Sequence, residues 1–151
     1  FDQEWIASLS IGNDFINETP TSSGYTYFEA SPIDLNEGET YEVLMSPGFS
    51  GKVQREYWRI WIDYNGDKDF LDPGEEVLAV NNARSNVSGS ITIPTITSKN
   101  TRMRISMSRG SAPSACVVID NGEVQDYLVN LINEVDLNEM KTLAENDKRI
   151  I

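Results

Sequence analysis

The stretch from Trp61 to Glu76, WIDYNGDKDFLDPGEE, places six carboxylates in the fourteen residues between Asp63 and Glu76, with one lysine among them. Crowding that much negative charge is unfavourable unless a cation sits within it. Asp63, Asn65, Asp67 and Asp69 alternate along the chain, with Gly66 between them. A tight loop of this spacing wraps oxygen ligands around calcium, which takes about six to eight oxygens at roughly 2.3–2.6 Å. The helix-flanked EF-hand loop would need a bidentate glutamate at its twelfth position. Here that position is Gly74, followed by Glu75 and Glu76, and both flanks have strand composition. The expectation is a Ca2+ loop between two strands, with Asp63, Asn65, Asp67, Asp69 and Glu75 as ligands, or with Glu76 closing the site instead. The competing reading is a solvated acidic turn, since Asp, Asn and Gly form turns through their own side-chain bonds. Magnesium fits less well, because it demands near-octahedral geometry.

A second set of residues has the types that hold a ligand. In EYWRIWID (Glu56–Asp63), strand alternation puts Tyr57, Arg59 and Trp61 on one face, and in TRMRISM it puts Arg102 and Arg104 opposite the apolar methionines. Aromatic rings stack on the C–H faces of sugars, and guanidinium groups bond hydroxyls. If the two strands are neighbours, Tyr57, Arg59, Trp61, Arg102 and Arg104 form an aromatic and cationic platform for a polysaccharide. Tyr25, Tyr27 and Tyr64 are further candidates near loops. The opposing reading packs Tyr57 and Trp61 under a loop as a secondary core. The same residue types make protein hot spots, so an extracellular protein ligand or adhesion role stays open, as does a spacer stiffened by calcium.

Catalysis finds little to work with. The chain has no histidine and one cysteine, Cys116, which excludes a Ser-His-Asp triad, histidine-ligated zinc and an internal disulfide. A lone cysteine is most often a small buried apolar side chain. Glu123 and Asp126 are a carboxylate pair of the kind that hydrolyses glycosides. The blander role, a turn cap or a brace for an arginine such as Arg104, is preferred, and the chain is expected to be non-catalytic. The net charge of −12 argues against nucleic acid and anionic membranes, and favours a neutral or sparsely charged polymer. No run approaches the roughly 18 apolar residues of a membrane span. The chain opens at Phe1, which reads as part of a longer protein or a processed form. A monomer tethered to a catalytic domain is expected.

The elements that must position these groups are strands. YTYFEA, TYEVLMS, REYWRIWIDY, EEVLAV, GSITIP, TRMRISMS and DYLVNLI are short, rich in β-branched and aromatic residues, and punctuated by Gly, Pro, Asn and Ser; WIASLSI precedes them. Strands at this spacing predict an all-β fold, an antiparallel β-sandwich or jelly roll, with Trp58, Ile60, Ile62, Met103, Ile105 and Met107 facing the core. Residues 1–132 form this module. Residues 133–151 change character, with Leu137, Met140, Leu143 and Ala144 at helical spacing, and read as a surface helix or the start of a linker.

The order YWRIWIDYNGDKDFLDPGEEV, ITIP, TRMRISM, a cysteine and then GEVQDYLV resembles the GEVED domain of secreted bacterial proteins, and GYTYFEA and YEVLMSPGFSGKVQREYW upstream resemble it too. The likeness runs from about Trp5 to Ile132. It implies a β-sandwich module appended to secreted hydrolases, proteases and polysaccharide-degrading enzymes among them, without catalysis of its own. Glu123, Val124, Asp126 and Tyr127 match the name-giving stretch, while Gln125 stands where the family has glutamate.

Overall fold

The structure, a computed structural model, describes residues 4–17, 24–116 and 119–149. Alternation decides the core. Trp58, Ile60 and Ile62 point inward with no exposed surface, opposite Met107, Ile105 and Met103 of the neighbouring strand. Ile6, Leu9, Ile11, Val43 and Met45 close the core from the other layer. Each such side chain contributes about 1.5–3 kcal/mol when fully buried.

The described residues form nine strands: β1 (Glu4–Ile11), β2 (Asp14–Asn17), β3 (Tyr25–Asn36), β4 (Thr40–Phe49), β5 (Glu56–Ile62), β6 (Glu76–Ala83), β7 (Val87–Thr92), β8 (Lys99–Arg109) and β9 (Gly122–Ile132). They make a β-sandwich of one four-stranded sheet, in the order β2-β1-β4-β7, and one five-stranded sheet, in the order β3-β9-β8-β5-β6. One pairing departs from the antiparallel expectation: β3 runs parallel to β9. Between Phe28 and Ile33 that register shifts, where Pro32 has no N–H to give to the ladder. An edge strand tolerates this. Strand β2 was not anticipated from the sequence; it is a four-residue edge strand whose Phe15 lies largely in solvent.

Two connections cover the outer face of the larger sheet. Residues 63–75 join the adjacent strands β5 and β6, and residues 110–116 follow β8 on the way to β9. Helix α1 (Glu134–Arg149) follows β9. Asn133 caps it, its side-chain oxygen accepting the Asp136 N–H at 2.8 Å, and Glu134 and Asp136 suit the positive end of the helix. No helix among the described residues is long and apolar enough to cross a membrane.

Candidate metal loop and ligand cleft

The acidic loop is folded around its own carboxylates. Asp63, buried at the end of β5, accepts the N–H groups of Gly66, Asp67 and Lys68 at 2.7, 3.2 and 2.9 Å. Gly66 and Lys68 take the left-handed backbone that this tight wrap needs. At the far end, Glu75 is buried and accepts the Tyr64 N–H through Oε1 and the Asp72 N–H through Oε2. Asp67 accepts the Asp69 N–H, which holds its carboxyl below the usual range. Burial pushes the Glu75 carboxyl up, against the lowering effect of its two backbone donors, and Asp63 and Asp72 add repulsion. Burial and the nearby Glu75 charge push the Tyr64 hydroxyl up to about 12.

One carboxylate oxygen each from Asp63, Asp67 and Glu75 lie within 4.8 Å of one another. Oxygens about 2.4 Å from a shared ion are at most roughly 4.8 Å apart, so the spacing of this donor set is compatible with a metal ion. A carboxylate oxygen that accepts one N–H keeps a lone pair for a metal. Asp69 is not in that group; it gathers with Asp67 and Asp72 instead. Asn65 sits beside both, donating to Asp67 and, at 2.7 Å, to Asp72. Of the two glutamates offered to close the loop, Glu76 turns away to pair with Arg59 at 3.3 Å. Asp72 was missing from the expected ligand set, although its acid type and its place inside the loop were a readable signal.

The five-residue platform does not exist as one exposed surface. Trp61 does lie on the outer face, but it is 4% exposed and clusters with Phe70 and Ala115, which the two covering loops lower onto it. Arg59 is folded back onto Glu76, Asn81 and the Trp58 carbonyl. Arg104 is a strut. It clasps Asp126 through two nitrogens at 2.7 and 2.8 Å, bonds the Ala115 carbonyl at 2.6 Å and lies over the Phe70 ring. Its bonds to Asp126 hold its proton more firmly still. Tyr57 faces Ser108 and stands at the opposite end of β5 from the acidic loop. About six residues of strand, roughly 20 Å, separate its row from Arg102.

Arg102 is the most exposed of the three arginines. Its side chain is 43% exposed, its guanidinium lies 4.3 Å over the Tyr27 ring, and one nitrogen reaches Asp126 at 3.3 Å. It faces a cleft of about 480 Å³ whose walls include Tyr27, Phe70 and Leu128, together with Lys68 and Asp69 of the acidic loop. Cys116 also lines this cleft and is exposed, not the buried apolar side chain expected.

The motif GEVQD sits on β9 and works structurally in both directions. Asp126 points outward, fully buried, and accepts from Tyr25 as well as the two arginines. It, rather than Glu123, braces Arg104. Glu123 points inward and accepts the Ile6 N–H at 2.8 Å, tying the two sheets together. Gln125 donates to Glu123 at 2.8 Å and to the Ile6 carbonyl, and accepts from Tyr127. A glutamate at 125 would bring a second carboxylate against Glu123, so the amide is the neutral solution to the same contact.

Residues 57–130, the stretch holding the acidic loop, the strut and this motif, match the family model for the GEVED domain. That stretch is a GEVED domain. It is a small accessory β-domain, and its matched part spans β5 to β9; the sandwich around it is completed by β1 to β4. No curated protein matches the chain. Among solved structures, it is similar to the CARDB domain of a Pyrococcus furiosus protein crystallised "in complex with di-metal ions", with 11% identity, a TM-score of 0.41, and coverage of 89% of this chain and 98% of that one. A solution structure of the same Pyrococcus furiosus domain matches with 13% identity, a TM-score of 0.39, and coverage of 69% and 91%.

Proposed function

We propose that this GEVED domain is a non-catalytic module of a secreted bacterial enzyme, that it binds a polysaccharide in the cleft beside the acidic loop, and that Ca2+ held by that loop stabilises the cleft wall. The observation that carries the reading is Arg102: lying over the Tyr27 ring, its partly exposed side chain lines the ≈480 Å³ cleft next to apolar walls from Phe70 and Leu128. An apolar ring face beside a fork of donors suits a sugar, which offers a C–H face and hydroxyls together. Asp63, Asp67 and Glu75 would hold the ion, with Asp69, Asp72 and Asn65 beside them. Lys68 and Asp69 belong to both the loop and the cleft, so an ion that orders the loop also orders the ligand-facing wall.

Affinity electrophoresis against a panel of neutral polysaccharides tests the reading. Wild type should be retarded by at least one polymer, and Arg102→Ala and Tyr27→Ala should each weaken retardation several-fold without changing the melting temperature by more than a few degrees. The reading fails if no polymer retards the protein, or if both variants are retarded as strongly as wild type. Hydrolysis of any polymer in the panel would refute the non-catalytic half.

A further inference from the structure

The other end of the same sheet carries a groove of opposite character. Its volume is about 450 Å³, and its walls include Lys52, Arg55, Arg84 and Arg109. These are four of the 12 basic residues in a chain with 24 acids, yet no acidic side chain lines the groove among the described residues. Such a composition runs against that of the whole molecule, and like charges held together are unfavourable without a counter-ion.

The four cations arrive from different elements. Lys52 comes from the β4–β5 connection, Arg55 stands just before β5, Arg84 follows β6, and Arg109 ends β8. The backbone helps to gather them. Two residues of β6, Asn81 and Asn82, are accommodated between the Trp58↔Val80 and Glu56↔Ala83 pairs, and Asn82 takes a left-handed conformation. Its carbonyl accepts Arg55 at 3.3 Å, which steers that side chain along the groove. Arg109 is steadied from behind by the buried Glu4 at 3.5 Å. Lys52 and Arg84 make no ion pair or hydrogen bond among the described residues. Tyr57 adds a half-buried ring to the wall.

We infer that this groove binds a sulfate ester carried on a glycan. Cations converging from several directions suit a compact tetrahedral oxyanion better than a planar carboxylate, which is met best by one arginine fork. The Tyr57 ring offers the sugar an apolar face beside them. A phosphate monoester shares the geometry but carries about −1.5 to −2 charges, against one for a sulfate ester, and meets more repulsion from a protein of net charge −12. This site lies roughly 20 Å along the strands from the Arg102 cleft and does not depend on it.

Calorimetric titration with dextran sulfate, phosphorylated dextran and unmodified dextran tests the inference. Dextran sulfate should bind wild type, and the double variant Lys52→Ala/Arg84→Ala, which removes two exposed side chains, should bind it at least tenfold more weakly. Lys141→Ala, which removes an exposed cation of α1 outside both the groove and the cleft, should bind dextran sulfate as wild type does, and unmodified dextran, which has no sulfate, should bind wild type and the double variant alike, so that glycan binding in the Arg102 cleft and sulfate binding in the groove are separate results. Equal binding of dextran sulfate by wild type and the double variant, or no binding by wild type, overturns the groove. Tighter binding of phosphorylated dextran than of dextran sulfate overturns the choice of sulfate.

Discussion

Glu56 shows how one residue can set a property of the whole chain. It sits on the inward face of β5 with no exposed surface, and among the described residues neither carboxylate oxygen has a hydrogen-bond partner. Burial, and secondarily the charge of Glu4, push its carboxyl up from 4.5 to about 7, while Arg109 pulls the other way. Between those values the folded chain keeps a proton that the unfolded chain has lost. Stability therefore falls as pH rises through that window, and the loss is complete above about 7. Glu56→Gln should remove this slope, leaving the variant more stable than wild type at pH 8 by on the order of 1–3 kcal/mol, and nearly equal to it at pH 4.5. Urea melts across that range would measure it, and parallel wild-type and variant curves would refute it. The environment of Glu56 was not legible in the sequence: alternation alone assigns it an inward face, but its neighbours Glu4 and Arg109 are brought there from β1 and β8, far from it in the chain on either side.

At the scale of elements, β9 carries the most constraint. Gly122 opens it at φ +140°, and a Cβ there would lie 1.9 Å from the Met107 carbonyl oxygen. Gly122→Ala should accordingly cost about 1–3 kcal/mol or more in stability, and a chemical-denaturation midpoint equal to that of wild type would contradict the close approach. The strands were legible where they alternate: β5 and β8 present the faces expected of Trp58, Ile60, Ile62, Met103, Ile105 and Met107. What alternation cannot supply is the cover. It placed Trp61 on the outer face, but only the loop bearing Phe70 and the loop bearing Ala115 decide that this face is dry there. The acidic loop was readable because its carboxylates lie within one short stretch of sequence. The cleft was not, because Tyr27, Phe70 and Arg102 are distant in the chain. Arg102 was expected in the platform, as was Arg104, which also lines the cleft, with Tyr27 held as a further candidate.

For the whole molecule, the proposed calcium ion is a stability term. An ion that binds only the folded chain adds about 2.7 kcal/mol at a hundredfold excess over its Kd. For a chain of this size that corresponds to roughly 5–10 °C in Tm. Wild type should melt lower by about that much in chelator than in millimolar calcium, and Asp67→Ala should melt alike in both; coincident wild-type curves would exclude the site. The parallel pairing of β3 with β9 bears on how this protein is made. Tyr25 pairs with Val124, and the Ile6 N–H finds its carboxylate at Glu123, 117 positions away. During synthesis β1, β2 and β4 can associate early, but β3 must wait for the last strand, and contacts so remote in sequence form slowly. Throughout that wait β3 exposes an unpaired edge. A ribosome that stops before residue 122 therefore releases a chain with a strand seeking a partner, and another stalled copy is the nearest substitute.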